Sequence, residues 1–404
     1  MLTRLAIRNI FRHRVRSAMT LAAIALGVAG LILAGGFVQD IFVQLGEAVI
    51  HSQYGHAQVS REGFMEKGTR NPTRYLIEQP EALTKRIRGI EGVDDVMARI
   101  SFAGVINNGR RDYGIVGEGV EPAKEARLGS MITVLAGRML DEKDLDGIMI
   151  GEGVATAMGV TPGERINLLI NTAEGALNTL DFEVIGVFRT FSKDFDAHAV
   201  RIPLGAAQDL LQTPGANVLV VSLHRTDDTD AFMPRLQASL AGMPLEARSW
   251  RKLSDFYDKT RELYARQFGV LQLIILGMVL LGVSNTVNMS IFERVAEFGT
   301  VRALGDRPID VLRSVLLEHL MLGLLGAALG VALGLGAAWL ASWVGIPMPP
   351  PPNANTGYLA RIQVLPMNVL LAAVIGVAAT VLAALLPAWR VSRTPVVDAL
   401  RQSV

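Results

Sequence analysis

The sequence predicts an α-helical membrane protein with four transmembrane helices and a large α+β domain inserted between the first helix and the second. Half of the 404 residues are apolar and 19% are charged, against about 25% in a typical soluble chain. The charges are unevenly spread, because 57 of the 77 charged residues, and every lysine, lie between residues 41 and 266. Four nearly charge-free runs lie outside that region, each long enough for the ~20 residues of a membrane-crossing helix.

The apolar runs and the segments between them divide the chain into consecutive parts. We expect an interfacial helix at 1–16, a first span at 17–43, an outer domain at 44–266 that ends in a helical stalk at 254–266, a second span at 267–292, a loop at 293–313, a third span at 314–346, an outer loop at 347–366, a fourth span at 367–388 and a tail at 389–404. The first run exceeds the ~7–15 residues of a signal-peptide core, so a retained span is favoured over a cleaved signal peptide.

The distribution of arginine predicts the orientation of the spans. Five arginines precede the first span, four lie between the second and third spans, and three lie in the tail, whereas the loop between the third and fourth spans has only Arg361. The positive-inside rule therefore places both termini and the 293–313 loop in the cytoplasm, and the inserted domain outside. That domain contains 26 basic and 31 acidic residues, so no nucleic-acid partner is expected.

The inserted domain has a mixed secondary-structure pattern. Alternating or β-branched runs predict strands at 56–60, 95–106, 113–117, 165–170, 180–187 and 217–223. Helical periodicity predicts helices at 80–88, 151–158, 205–211 and 230–240. From Ser254 a helical pattern continues without a breaker into the second span, which predicts one continuous helix across that boundary.

Motifs for catalysis and cofactor binding are missing from this sequence. It contains no cysteine, no G-x-x-x-x-G-K-[ST] phosphate loop, no G-x-S-x-G elbow and no H-E-x-x-H pair. Asp194, Asp196 and His198 would share one face of a strand and could hold a metal ion, but we interpret them as solvated side chains on a half-exposed strand. We therefore expect no enzyme active site, no metal and no cofactor in this chain.

Several polar and small residues occur within or beside the spans. For Asn285 and Asn288 we expect hydrogen bonds between helices, and for Glu318 an interfacial position; a proton relay is the alternative for all three. Gly326, Gly330 and Gly334 recur every fourth residue, a pattern that lets two helices approach closely. The partner helix could belong to this chain or to a second subunit.

Three stretches resemble FtsX-like permeases of the ABC transporter superfamily, a group that includes MacB-type macrolide exporters and lipoprotein-release permeases. The loop after the second span reads ERVAEFGTVRALG and resembles the motif E-R-x-x-E-[IF]-G-x-x-[RK]-A-[LI]-G. The opening RLAIRNIFRHRVRSAMTLAAIALGVA resembles the family's basic elbow helix and first span. The closing LLPAWRVSRTPVVDALR is similar to the family's ending, with Val391 in place of the usual alanine. The outer-domain stretch LAGRMLDEKDLDGIMIGEGVATAMGVTPGERINLLI is also similar.

The resemblance implies that this chain is the membrane subunit of a transporter. A cytoplasmic ABC ATPase dimer, which binds ATP and Mg²⁺, would dock beneath the 293–313 loop, and a second permease subunit would complete a homo- or heterodimer. The motif positions that would couple to the ATPase are Glu293, Arg294, Glu297, Phe298, Gly299, Arg302, Ala303, Leu304 and Gly305. Val295, Phe298, Val301 and Leu304 form an apolar stripe at i, i+3 spacing that suits an ATPase groove.

The expected function is ATP-driven mechanotransmission that releases or exports lipoprotein or lipid from the bacterial inner membrane. The start of the outer domain, YGHAQVSREGF, is similar to the opening of lipoprotein-release permeases. Membrane lipids and a periplasmic carrier or cargo lipoprotein are the further partners expected. The alternatives are an exporter of a drug or peptide, and a non-transporting signalling scaffold that activates a periplasmic cell-wall hydrolase. The large outer domain argues against the scaffold, whose known examples are smaller there.

Overall fold

The computed structural model describes residues 14–68, 72–172, 174–350, 354–355 and 357–401. These residues form two compact units. The helical unit comprises the residues up to Phe42, Thr260–Pro347, and the residues from Leu359 onward. The α/β unit comprises Val43–Lys259 and Met348–Tyr358. The predicted interfacial helix at 1–16 lies outside the described residues except for its last three, which begin the first long helix.

The described residues form fourteen α-helices. They are α1 (Arg14–Val49), α2 (Phe64–Lys67), α3 (Pro80–Arg88), α4 (Pro122–Leu128), α5 (Glu152–Met158), α6 (Lys193–His198), α7 (Leu204–Leu211), α8 (Thr229–Ser239), α9 (Trp250–Leu253), α10 (Asp255–Glu293), α11 (Val295–Ala303), α12 (Pro308–Val344), α13 (Pro366–Arg393) and α14 (Val396–Arg401). A π-helical turn, Ile50–Tyr54, directly follows α1, and 3-10 turns lie at Pro72–Tyr75 and Thr226–Asp228.

The described residues also form twelve β-strands. They are β1 (Ala57–Arg61), β2 (Val93–Asn107), β3 (Asp112–Val120), β4 (Thr133–Gly137), β5 (Gly147–Gly151), β6 (Arg165–Asn171), β7 (Leu177–Arg189), β8 (Ala199–Pro203), β9 (Val218–Leu223), β10 (Leu245–Ser249), β11 (Ile346–Met348) and β12 (Tyr358–Ala360). The first ten form one mixed sheet in the order β10-β1-β9-β2-β3-β8-β5-β7-β4, with β6 paired to β2 and β7.

Four described helices, α1, α10, α12 and α13, are long and apolar enough to cross a membrane. Two of them are longer than the spans expected from composition. Helix α1 continues to Val49 and then through the π-helical turn to Tyr54, well beyond residue 43. Helix α10 begins at Asp255 and runs unbroken to Glu293, as the absence of a helix breaker predicted.

The two largest apolar cores of the α/β unit share one long strand. Residues 93–99 of β2 pair with β9, and residues 100–107 of the same strand pair with β3. One core lies among β1, β9, α3 and α8 around Leu219 and Phe232, and the other lies among β2, β5, β7 and α7 around Ile150 and Phe182. The six predicted strands were found from alternation or from β-branched runs, and all six coincide with observed strands.

The segment KDFDAH differs from the expectation. It forms helix α6 rather than a half-exposed strand. Ser192 caps this helix, because its Oγ accepts a hydrogen bond from the backbone N–H of Phe195 at 3.3 Å. Asp196 is consequently buried instead of solvated. In the described part of the chain, no group of His, Asp and Glu side chains has the geometry to hold a metal ion.

Candidate functional site

The loop that carries the family-like motif folds as the short helix α11 between two long helices. Val295, Phe298 and Gly299 lie on its buried side, and Val295 and Phe298 pack in the core of the helical unit. Val301 and Leu304 are exposed, Leu304 by 84% of its surface, and Ile309 at the start of α12 is exposed as well. The apolar stripe expected from i, i+3 spacing is therefore half buried, at Val295 and Phe298, and half exposed, at Val301 and Leu304. We call Val301, Leu304 and Ile309 the coupling face.

A buried ion pair fixes the beginning of α11. The Nη1 atom of Arg294 lies 3.0 and 2.9 Å from the two carboxylate oxygens of Glu318 on α12, and its Nε lies 3.2 Å from Glu297. The guanidinium also lies over the Phe298 ring, 5.0 Å from its centroid. Both Arg294 and Glu318 have only 10% of their side-chain surface exposed. The guanidinium of Arg294 is thus bound by side chains of its own chain.

The other motif residues surround this pair. Glu293 ends α10 and is exposed, as are Glu297, Ala303 and Gly305. Arg302 is half-buried and donates to the carbonyl oxygen of Thr394, just before α14. Gly305 has φ +112°, a conformation that other residues rarely adopt, and it allows the chain to turn from α11 toward α12. Pro308 then begins α12, where the Arg307 N–H donates to Asp310 at 3.2 Å.

The three glycines at every fourth residue of α12 face α1 of the same chain. A Cβ atom on Gly330 would lie 2.8 Å from the Ala25 carbonyl oxygen and 2.7 Å from the Val28 Cβ. A Cβ on Gly326 would lie 2.8 Å from Ile24, and one on Gly334 would lie 3.1 Å from Ile32. The close approach of two helices predicted from the spacing is therefore an intrachain contact.

The span asparagines lie on α10, the least buried of the four long helices. Asn285 is exposed and Asn288 is half-buried. Within the part of the chain that the structure describes, neither side chain makes a hydrogen bond to another helix. Only 17% of the most apolar stretch of α10 is buried, against 44% for α1.

A second buried cluster lies in the α/β unit and was missed by sequence reasoning. It contains two guanidinium groups and two carboxylates, on Arg99 of β2, Glu118 of β3, Glu125 of α4 and Arg201 of β8. Arg99 binds Glu125 through two nitrogen atoms, at 2.6 and 3.2 Å. Arg201 lies 3.1 Å from Glu118 and 3.1 Å from Glu125. We call these four residues the ion quartet.

The ion quartet holds the end of the first long helix. Arg201 donates to the Ser52 carbonyl oxygen at 3.2 Å, and Arg99 donates to the Gln53 carbonyl oxygen. Both carbonyls belong to the π-helical turn after α1, where backbone acceptors lack helical partners and the helix dipole is negative. Burial opposes ionisation of Glu125, but Arg99 and Arg201 outweigh it and hold its pKa below the usual value.

A buried histidine holds the neighbouring strand. The backbone N–H of Leu223 donates to His56 Nδ1 at 3.1 Å, so Nε2 carries the proton and donates to the Thr226 hydroxyl at 3.1 Å. Burial lowers the pKa of His56 from 6.5 to about 4. The neutral imidazole is therefore the form that fits this site.

Acidification is expected to weaken the α/β unit through His56. Its pKa is lower in the folded chain, so the unfolded chain gains the proton first as pH falls from 6.5 toward 4, and stability is lost in that window. The expected loss between pH 7 and pH 4.5 is about 2.5 kcal/mol. It can be measured from thermal unfolding followed by Trp250 fluorescence, with Trp339, Trp343 and Trp389 replaced by phenylalanine.

The His56→Gln chain should show a smaller stability loss over this pH range, whereas the matched variant of the exposed His224, His224→Gln, should behave as the parent does. Equal pH dependence of His56→Gln and parent would contradict the assignment to His56.

The loop between the third and fourth long helices is attached to the α/β unit. The Asn355 side chain donates to Asp196 at 2.6 Å and to the Thr190 carbonyl oxygen at 3.2 Å, and its backbone N–H donates to the Phe191 carbonyl oxygen. Burial raises the pKa of Asp196 above the usual value, although the Thr190 hydroxyl and N–H donate to it. Asp196 therefore has a structural role in holding this loop.

Comparison with known families matches both units of the chain. The family model described as a MacB-like periplasmic core domain matches residues 17–239. The model described as an FtsX-like permease C-terminal domain matches residues 269–396, which include α11 and Glu318.

Curated relatives share low identity over most of the chain. An uncharacterized ABC transporter permease of Methanocaldococcus jannaschii is 24% identical over 347 residues, which are 80% of this chain and 79% of that protein. The lipoprotein-releasing system transmembrane protein LolE of Haemophilus influenzae is 22% identical over 75% of this chain and 72% of its own length. The macrolide export ATP-binding/permease protein MacB of Aggregatibacter actinomycetemcomitans is 21% identical over 80% of this chain, which spans 50% of that protein. This chain therefore belongs to the FtsX-like permeases of the ABC transporter superfamily that carry a MacB-like periplasmic core domain.

Proposed function

We propose that this chain is the membrane subunit of a bacterial inner-membrane ABC transporter and that an ATPase outside this sequence drives it through the coupling face. The observation that carries the proposal is the exposed apolar surface of Val301, Leu304 and Ile309, held in place by the buried Arg294–Glu318 pair. A fixed, exposed apolar patch is typical of a protein-binding site. No phosphate loop occurs in this sequence, so the ATP that drives it would be bound outside this sequence.

The four long helices would span the membrane, with both termini and α11 in the cytoplasm and the α/β unit in the periplasm. The arginine distribution supports this orientation. We further propose that the exposed face of α10, including Asn285, meets a second permease subunit. An amide in lipid lacks hydrogen-bond partners, and a facing helix would provide them.

Force would then reach the α/β unit by the continuous helices. Helix α1 ends in carbonyl groups bound by the ion quartet, and α10 begins within the α/β unit at Asp255. A helix fastened at its end by buried charged hydrogen bonds can transmit a displacement with little local yielding. This arrangement supports mechanotransmission.

For the cargo, we propose a lipoprotein or a lipid. The similarity to LolE and the YGHAQVSREGF opening favour it over a drug or peptide. The similarity to MacB keeps a drug or peptide as the second candidate. ATP-dependent loss of a lipidated protein from proteoliposomes would support release, whereas retention of that protein together with specific binding of a cell-wall hydrolase would support a signalling scaffold instead.

A single substitution tests the coupling face. We expect Leu304→Asp to reduce co-purification of the ATP-binding partner at least tenfold, because a central exposed anchor of an interface commonly contributes ~2 kcal/mol or more. Leu304 is exposed, so the purified chain should keep its thermal stability.

The matched control is Leu177→Asp, a change to an exposed leucine on β7, which lies outside the coupling face and outside α10. Full co-purification of the ATPase with Leu304→Asp, at the level of this control, would contradict ATPase docking at this face.

A further inference from the structure

The α/β unit contains a cavity that the coupling mechanism does not use. Its volume is about 570 Å³, and its wall is formed by the start of α4, the loop before β5, strand β7 and the start of α7. Small-molecule sites commonly have volumes of ~300–1,000 Å³. The cavity thus has the size of a site for a drug-sized molecule.

The wall of the cavity is strongly acidic. It contains one ammonium group, on Lys124, and five carboxylates, on Glu121, Glu142, Asp146, Asp181 and Asp209. Lys124 pairs with Glu121 at 2.9 Å, and Asp146 pairs with Arg165 at the exposed surface at 3.0 Å. Glu142 and Asp209 are exposed, and among the described residues neither has an ion-pair partner. The remaining negative charge has no counterpart in the wall.

The same wall presents apolar side chains to solvent. Leu145 is 77% exposed and Leu180 is 39% exposed, while the buried Phe182 also contributes to the wall. Covering exposed apolar surface is favourable by about 25 cal/mol per Å². A ligand that matches this wall therefore needs an apolar body as well as positive charge.

An adjoining cavity does not share this acidic character. It has a volume of about 790 Å³ and shares Glu121, Lys124 and Leu204 with the acidic cavity. Its wall also contains Lys85 and Arg88, so acidic and basic groups are mixed there. The excess of negative charge therefore belongs to the acidic cavity, where Glu142 and Asp209 have no ion-pair partner among the described residues.

We propose that the acidic cavity binds a small lipophilic amine, a molecule with one protonated nitrogen and an apolar body. The ammonium group lies near Glu142 and Asp209, and the apolar body covers Leu145 and Leu180. A neutral molecule of the same shape gains the apolar contact but not the charge attraction, so selectivity for the amine is the property that identifies the site. The proposal goes beyond the proposed function, since it involves no residue of the coupling face.

The test uses the full-length chain in nanodiscs of zwitterionic lipid and two matched probes, 4-phenylbutylamine and 4-phenylbutanol. Binding is measured by saturation-transfer NMR, with empty nanodiscs subtracted. We expect the amine to bind at least tenfold more tightly than the alcohol. The combined change Glu142→Gln and Asp209→Asn should abolish this preference, and Leu180→Ser should weaken both probes.

The control Asp227→Asn removes a carboxylate that is exposed and lies outside the cavity wall. It should leave the preference for the amine unchanged. Equal affinity for the two probes in the parent chain, or a preference that persists in the Glu142→Gln and Asp209→Asn chain, would overturn the proposal. Neither result bears on ATPase docking, so failure here is distinguishable from failure of the proposed function.

Discussion

Replacing Arg201 with methionine is expected to destabilise the α/β unit by about 3–5 kcal/mol, the cost of removing one partner from a buried ion pair. Arg201 is 3% exposed at its side chain, and its loss leaves Glu118 and Glu125 with a single nearby guanidinium. The Ser52 carbonyl oxygen also loses its donor. Hydrogen exchange over residues 48–60 of the full-length chain should therefore accelerate, together with a lower unfolding temperature.

Two further variants separate charge imbalance from loss of side-chain volume. Arg165→Met removes an arginine that pairs with Asp146 at the surface, and it should cost less than about 1 kcal/mol. Combining Arg201→Met with Glu125→Leu restores a one-to-one charge balance and should recover part of the stability. If Arg201→Met were as stable as Arg165→Met, with unchanged exchange over residues 48–60, the ion quartet would not hold the helix end.

The second large effect is expected at Arg294. The Arg294→Met change removes the buried partner of Glu318 and the contact over Phe298. The packing of α11 against the rest of the helical unit should therefore be weakened by about 3–5 kcal/mol. Local opening exposes the bond after Arg302 to trypsin, so cleavage there should become at least tenfold faster. ATPase co-purification should fall in parallel, because the coupling face is no longer held.

Arg313→Met is the matched control, since Arg313 is an exposed arginine on α12. It should leave trypsin cleavage and ATPase co-purification unchanged. Exchanging the charges, Arg294→Glu with Glu318→Arg, should restore part of the protection. Protection that stays at the parent level in Arg294→Met would contradict a structural role for the pair.

Local patterns were sufficient to predict much of this fold. The four charge-free runs correspond to α1, α10, α12 and α13. Strands with clear alternation, such as Arg165–Asn171, were found because every second side chain enters the core. The short strand Gly147–Gly151 is buried at all five residues, so it has no alternation to detect.

Helix capping explains why the segment Lys193–His198 is a helix and not the expected strand. The residues after Ser192 alternate as a strand would, but Ser192 is an N-cap residue, and its hydrogen bond to Phe195 favours a helix. Such a signal can be found in sequence when a serine precedes acidic residues in a first helical turn.

The charged clusters depend on contacts that sequence spacing does not show. Arg99 and Arg201 are 102 residues apart and meet because β2, β3 and β8 are neighbours in the sheet. Arg294 was identified from its motif as a site for a partner, but its role in binding Glu318 depends on how α11 packs against α12. The attachment of Asn355 to Asp196 is likewise a tertiary contact over 159 residues.

The most direct test of the proposed function is photo-crosslinking in intact cells from position 304. A benzoylphenylalanine replaces Leu304 in the full-length chain, and the crosslinked partner is identified by mass spectrometry, with the same residue at position 145 as the comparison. We predict crosslinking from position 304, and not from position 145, to a protein that contains a G-x-x-x-x-G-K-[ST] phosphate loop. Crosslinks from position 304 only to lipid or to proteins without that loop would contradict ATPase coupling at this face.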